Sequence, residues 1–343
     1  MVQSQGVNAR IHAIGLYFPE TRLGNELLAA DLDGWSAEKI QEKTGIRERR
    51  IAGLNETALD LAENACRNLF NKDGVEANDV DFIIFCTQAP DYILPTSACI
   101  LQDRLGLRTS IGALDINLGC SGYVYGLSLA TGLIASGAAK NVLLVTADTY
   151  SKFINAKDRS VRTLFGDGAT ASLIMASDDA QSFIGSFIFG TDGRGAKHLI
   201  IPAGGARRPR SKSTQIEKVD ASGNVRSENN LFMDGAAVMA FTLAEVPKSF
   251  AALLLAANTS LQDIDYVVLH QANRFMLDAL RKKMKIPVEK LPYCFENIGN
   301  TVSSTIPVVL EELISTDRLR RGNVLALVGF GVGLSWAACM VSF

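Results

Sequence analysis

The stretch D-I-N-L-G-C-S-G-Y-V-Y-G-L-S-L-A-T-G-L-I-A-S-G, residues 115–137, decides the fold. It begins inside a short apolar strand, residues 111–118. Gly119 and Cys120 follow, then a run of small and apolar residues. Within that run Tyr123, Leu127, Ala130 and Ile134 recur at helical spacing. The other positions are mostly Gly, Ala, Ser and Leu, so the helix is expected to be buried almost all round. Cys120 then sits in a strand-to-helix turn, at a helix N-terminus where free N–H groups and the helix dipole favour a thiolate. Gly119 and Gly122 are expected to allow a sharp turn and to leave room for a substrate beside the sulfur. Most free cysteines are only small buried hydrophobes. The rest of the chain speaks for a nucleophile here.

The 343 residues are 48% hydrophobic and 20% charged, with 29 glycines, which suits an α/β chain of two domains or one duplicated one. A net charge of −2 offers no basic field for nucleic acid. The six cysteines are scattered, without a C-x-x-C pair, and there are three histidines, which argues against a zinc site. Five of the cysteines read as reduced core residues. The first ten residues hold no apolar leader, and no run reads as a membrane span. A cytoplasmic location is expected.

Taken in order, residues 8–17 read as a strand, and 26–43 as a polar helical stretch broken near Asp33 and Gly34. T-G-I-R-E-R-R-I (44–51) reads as a basic turn. Thr57 can cap a helix running to about Phe70. D-V-D-F-I-I-F-C (79–86) is a continuous apolar run of the kind found in buried strands. A helix opens near Pro95. K-N-V-L-L-V-T-A-D (140–148) and F-G-D-G-A-T-A-S-L-I (165–174) follow the Cys120 helix.

The second half repeats the first. D-I-D-Y-V-V-L-H (263–270) echoes 79–86, N-I-G-N-T (297–301) echoes N-L-G-C-S (117–121), and G-N-V-L-A-L-V (322–328) echoes 140–146. The common offset of roughly 180 residues marks an internal duplication. It divides the chain into 1–178, carrying Cys120, and 179–343, carrying His270 and Asn300. Alternating strands and helices make each half a parallel α/β layer. Asn300 takes the place of Cys120 in the equivalent turn. His270 ends the strand equivalent to the one ending at Cys86, and strand ends on one side of an α/β sheet are where sites form. Residues 204–230 are polar and aperiodic, and read as a solvated insertion rather than a lid.

Cys120, His270 and Asn300 form a Cys–His–Asn set suited to acyl transfer through a thioester. The order alone also fits papain-like proteases, but their C-G-S-C-W signature is missing. The sequence resembles the thiolase-fold condensing enzymes, in particular the type III ketoacyl-acyl-carrier-protein synthases. The resemblance runs through T-G-I-R-E-R-R (44–50), L-P-T-S-A (94–98), G-C-S-G (119–122), F-G-D-G-A (165–169), F-M-D-G (232–235), H-Q-A-N (270–273), G-N-T (299–301) and G-F-G-V-G-L-S-W (329–336). It implies a thiolase-like duplicated five-layer α-β-α-β-α sandwich, an acyl carrier protein as partner, and a homodimer. No cofactor, metal, nucleic acid or membrane is implied.

The implied chemistry has two half-reactions. Cys120 takes an acyl group from an acyl-CoA or acyl-carrier thioester. A malonyl carrier-protein thioester then loses CO₂, with His270 and Asn300 donating hydrogen bonds to its thioester oxygen, and the carbanion attacks the acyl-Cys120 carbonyl. The resemblance also assigns an oxyanion hole at the backbone of Cys120 and Val332, and an apolar wall at Phe330. Lys39 and Arg159 would contact the donor nucleotide, Ala236 the pantetheine arm, and Leu94 the partner's acyl tunnel. Lys282 and Lys283 would contact the carrier protein. Three positions depart from the pattern. Lys39 stands where the family has Trp, with Trp35 one turn earlier; Ala236 replaces Asn, and Val332 replaces Gly. The competing reading is an O- or N-acyltransferase on the same fold, passing the acyl group to an alcohol or amine.

Overall fold

The computed structural model describes residues 8–32, 34–72, 74–179 and 182–343. Residues 1–7, most of the stretch expected to lack an apolar leader, and Asp33, expected with Gly34 to break the first helical stretch, lie outside the described residues. The first half comprises β1 (Asn8–Tyr17), α1 (Asn25–Asp31), α2 (Ala37–Thr44), α3 (Ala58–Phe70), β2 (Phe82–Cys86), α4 (Ser97–Arg104), β3 (Gly112–Ile116), α5 (Gly122–Ala135), β4 (Asn141–Asp148), α6 (Arg159–Arg162) and β5 (Gly168–Ser177). The second comprises β6 (Phe183–Thr191), α7 (Gly235–Ala256), β7 (Tyr266–Leu269), α8 (Arg274–Met284), α9 (Thr305–Ser315), β8 (Val324–Gly331) and β9 (Ser335–Ser342).

Local chemistry sets the helix starts. Thr57 and Asp60 close a reciprocal capping box on α3. Asp115, on β3, receives the Ser97 and Ala98 N–H groups at 2.6 and 2.8 Å and so caps α4 from outside.

One sheet has the order β1-β5-β4-β2-β3 and the other β6-β9-β8-β7. The four strands of the second sheet match the first four of the first in order, and the edge strand β3 has no counterpart among the described residues; this is the duplication in three dimensions. The sheets are mixed, not parallel as alternation implied. β2 runs parallel to β3 and β4, but β5 is antiparallel to both β4 and β1. In the second sheet β7 and β8 are parallel, while β9 is antiparallel to β8 and β6. The short connection from β8 to β9 forces a reversal that alternation of element types does not reveal.

Because successive strand residues face opposite sides, each apolar run feeds two layers. On β2, Ile83 and Phe85 pack outward against α3 and α4. Ile84 faces a central layer in which Tyr123, Leu127 and Ala130 of α5 meet Ile306, Val309 and Leu313 of α9. Val267 and Leu269 of β7 face α7 and α8 on the far side. The result is the five-layer α-β-α-β-α sandwich. α5 is less buried than its sequence implied: Tyr123, Leu127, Ala130 and Ile134 are covered, whereas Leu129, Gly132 and Ala135 are exposed. Cys99 is likewise exposed, unlike the core role expected of it. α7 is long and apolar enough to cross a membrane by length and composition, contrary to the sequence reading. One face of it, including Val246, Phe250 and Leu253, packs into the core over the second sheet.

Residues 204–230 are not simply solvated. Thr214 and Asn224 are buried, and Arg226 reaches the fully buried Asp158 at 2.7 Å.

Candidate active site

Cys120, His270, Asn300 and Phe330 line one cavity of about 90 Å³, walled further by Phe165 and Met233. Cys120, His270 and Asn300 are 5%, 2% and 4% exposed. Three chain segments deliver them: the turn entering α5, the end of β7, and the turn entering α9.

The H-Q-A-N stretch shows how one segment does several jobs. His270 faces the cavity. Gln271 turns inward and accepts the Cys294 N–H at 3.1 Å. Asn273 caps α8 by accepting the Met276 N–H at 2.9 Å. On the opposite wall, Asn300 is held by its backbone. Its N–H donates to Leu164 O at 2.9 Å, and its carbonyl accepts the Gly166 N–H at 3.0 Å. Its side-chain oxygen accepts the Val302 N–H at 2.9 Å, which leaves the amide NH₂ as the group available to a ligand.

The thiolate expected at Cys120 is not the resting state. Burial pushes the thiol up to about 12, the nearby Asp148 carboxyl adds to this, and the backbone N–H groups of Val332 and Cys120 only partly offset it. A helix N-terminus contributes partial charge, but burial this complete costs more. His270 is neutral as well, pushed down to about 3 by burial. Its Nδ1 lies 2.7 Å from Thr305 Oγ1, whose hydroxyl donates to Val302 O at 3.1 Å. The Thr305 oxygen therefore accepts, the ring proton sits on Nδ1, and Nε2 is a base. The donor role expected of His270 begins only once Nε2 has taken a proton. The ring stands edge-on to Phe330 at 5.4 Å, which holds its plane.

Gly119 and Gly122 do not make room for substrate, as expected from sequence. A Cβ on Gly119 would lie 2.6 Å from Gln88 Oε1, and one on Gly122 would lie 2.2 Å from Cys86 Sγ. Both serve packing inside the protein. The glycine that clears the Cys120 sulfur is Gly331 on β8, where a Cβ would lie 2.9 Å from Cys120 Sγ. Gly331→Ala should slow single-turnover acyl loading about 10²-fold, because displacing the sulfur spoils its line of attack. A rate within twofold of wild type would show that the turn yields.

The other positions named from sequence are distributed as follows. The Val332 N–H is directed at the Cys120 sulfur. Ala236 is exposed, next to Gly235 at the cavity mouth. Lys39 is exposed on α2, donating to Gly34 O at 2.9 Å with its ammonium 5.2 Å from the Trp35 ring. Lys43 approaches the same ring at 5.3 Å. Arg159 hydrogen-bonds Ser222 O in the 204–230 segment. Leu94 is 79% exposed beside Tyr92 and Ile93. Lys282 and Lys283 are exposed on the last turn of α8, whose first turn borders the cavity. The structure therefore does not bring Lys39, Leu94, Lys282 or Lys283 to the Cys120 cavity. The basic turn at 44–51 is largely structural: Arg49 is fully buried, with Thr163 O and Asn25 as partners.

Sequence reading missed Thr305, Gly331, Gln88, Tyr150 and Asp148. Tyr150 donates to Gln88 Oε1 at 2.6 Å close to Cys120. The one legible signal was Asp148, an acid ending an otherwise apolar strand.

Fold and site together define an acyltransferase of the thiolase type. Residues 114–193 and 254–343 match the models of 3-oxoacyl-[acyl-carrier-protein (ACP)] synthase III and of its C-terminal region. A beta-ketoacyl-[acyl-carrier-protein] synthase III from Caldanaerobacter subterraneus subsp. tengcongensis is 35% identical over 98% of both chains. A crystal structure of a 3-oxoacyl-(acyl-carrier-protein) synthase III is 59% identical, with a TM-score of 0.97 over 98% of this chain and 100% of that one. The 3-oxoacyl-(acyl-carrier-protein) synthase from Burkholderia xenovorans LB400 is 36% identical, with a TM-score of 0.90 over 98% and 94%. The chain belongs to the 3-oxoacyl-[acyl-carrier-protein] synthase III family.

Proposed function

We propose that this chain condenses a Cys120-bound acyl group with a malonyl carrier-protein thioester, giving a 3-oxoacyl product, CO₂ and free enzyme. The observation that carries the division of roles is the convergence of Cys120, His270 and Asn300 on one buried cavity, with Nδ1 of His270 engaged by Thr305 Oγ1 and Nε2 left to act as the base.

Cys120 Sγ attacks the donor thioester carbonyl while its proton passes to His270 Nε2. The Cys120 and Val332 N–H groups stabilise the oxyanion. The donor C–S bond breaks, and the departing thiolate takes a proton from water. The ring, now charged, offers Nε2–H beside the Asn300 NH₂ to the malonyl thioester oxygen. The malonyl C–C bond breaks, and its electron pair moves into the enolate. Phe330, an apolar surface against the carboxylate, favours loss of that charge. The enolate carbon attacks the acyl-Cys120 carbonyl, the C–S bond breaks, and the Cys120 thiolate recovers the proton from His270. No cofactor enters any step.

The donor is an acyl-CoA or acyl-carrier thioester, with Arg159, Lys39 and the exposed Ala236 along its approach. Lys282 and Lys283 present positive charge to an acidic carrier protein. The division of the chain at 178/179 assigns the nucleophile to one repeat and the two donors to the other. A homodimer is supported by exposed apolar side chains at Tyr92, Ile93, Leu94, Leu129 and Phe189, and by β3, an open sheet edge. Leu94 then reaches the partner's acyl site. Sedimentation should find a dimer at micromolar concentration, and a monomer would remove this part of the reading. Work in the cytoplasm, away from any membrane, completes the proposal.

The test supplies an acyl-CoA and malonyl carrier protein and follows product by mass. A 3-oxoacyl carrier protein with one CO₂ per turnover is expected. Transfer of the acyl group to an alcohol or amine, without carbon–carbon bond formation, would mark an O- or N-acyltransferase instead.

A further inference from the structure

We propose that Asp148 is a positioning residue that holds, from the first repeat, the turn of the second repeat that aims both Asn300 and His270. This rests on the condensation reading above.

Asp148 ends β4 and is completely buried. Its Oδ1 accepts the Gln88 N–H at 2.8 Å, just past β2. Its Oδ2 accepts the Ser303 hydroxyl at 2.5 Å and the Ser303 N–H at 3.4 Å. Ser303 belongs to the turn between Asn300 and α9. That turn starts at Val302, which lies in the left-handed region with φ 55°, a conformation costly for a β-branched residue unless its surroundings impose it. The strained residue does two things at once. Its N–H fixes the Asn300 side-chain oxygen at 2.9 Å, and its carbonyl accepts Thr305 Oγ1, the partner of His270 Nδ1. Both groups meant for the malonyl oxygen are thus oriented through one turn. Asp148 ties that turn to the end of β2, and Ser304 assists through Thr146 at 2.8 Å.

The carboxyl has a second effect. The titratable groups that face it are Asp167 at the head of β5, Cys86 on β2, Tyr150 after β4, and Cys120. None is a cation. Burial pushes Asp148 up to about 7, against the hydrogen bonds from Ser303 and Gln88. Its negative charge adds to the burial that keeps Cys120 a thiol. A neutral strut would spare that cost, so removing the charge should affect the two half-reactions in opposite directions.

Asp148→Asn keeps the shape, removes the charge, and turns an NH₂ toward at least one donor. Decarboxylation of malonyl carrier protein by the acylated enzyme is expected to fall about 10- to 100-fold, as for a misplaced donor. Alkylation of Cys120 by iodoacetamide at pH 8 is expected to rise at least about threefold, because more thiolate is present. A purely structural role would not accelerate alkylation. Ser303→Ala keeps the carboxyl, removes one hydrogen bond, and should also slow decarboxylation; it carries the test if Asp148→Asn fails to fold. Unchanged decarboxylation in both variants, or alkylation of Asp148→Asn no faster than wild type, overturns the proposal. A wild type that neither loads acyl groups nor releases CO₂ overturns the condensation reading instead, while the alkylation comparison still reports on Asp148.

Discussion

Cys120→Ala should take up no acyl group from any thioester donor, a loss on the order of 10⁴–10⁶ in rate for removal of a covalent nucleophile. The other cysteines give the control. Burial pushes the Cys86 thiol well up, and Cys294 is pushed up to about 12 by burial and Glu312. Neither lines the Cys120 cavity. Cys86→Ala and Cys294→Ala should therefore label normally, although Cys86→Ala opens a small void against Gly122 and should cost some stability. Intact-protein mass after incubation with a panel of acyl thioesters reads all three variants. Full labelling of Cys120→Ala would place the nucleophile elsewhere.

The second large effect separates the half-reactions. Asn300→Ala should still acquire an acyl group on Cys120, because acylation uses the thiol, the His270 base and the Val332 N–H. It should lose decarboxylation by about 10²–10³, the usual effect of deleting one preorganised donor. His270→Ala is expected to impair both steps. The unprotonated Nε2 receives the thiol proton, and with the resting thiol pushed up to about 12 the attack needs that base. Single-turnover labelling alongside release of labelled CO₂ measures both variants. Loss of acylation with retained decarboxylation in Asn300→Ala would reverse the assigned roles. Retention of both would leave Asn300 a turn-forming residue, and an acyltransferase acting on an alcohol or amine would become the better account.

Much of the architecture was legible before any coordinates. Strands buried on both faces must be apolar throughout, so 79–86, 140–148 and 263–270 identify themselves. Their recurrence in the same order exposes the duplication, and the duplication pairs Cys120 with Asn300 and Cys86 with His270. Strand direction was not legible. Whether β5 runs with or against β4 depends on how the chain returns to the sheet, and local composition carries no record of it.

The site divides along the same line. By itself the sequence determined which side chains meet, because Cys120, His270 and Asn300 stand at equivalent ends of repeated elements. Their ionisation was decided only by the tertiary structure. The helix N-terminus at Cys120 is a local feature and argues for a thiolate. Desolvation depends on what Phe165, Phe330 and the walls around them exclude, and it leaves a neutral thiol. The tautomer of His270 rests on Thr305, 35 residues away, and the aim of Asn300 on a turn pinned by Asp148, 155 residues from Ser303. Thr305 and His270 belong to the same repeat, whereas the Asp148 contact with Ser303 forms across the seam between the two repeats. A seam exists only once both repeats have folded, so no local pattern within either one can encode the charge state that its partner imposes.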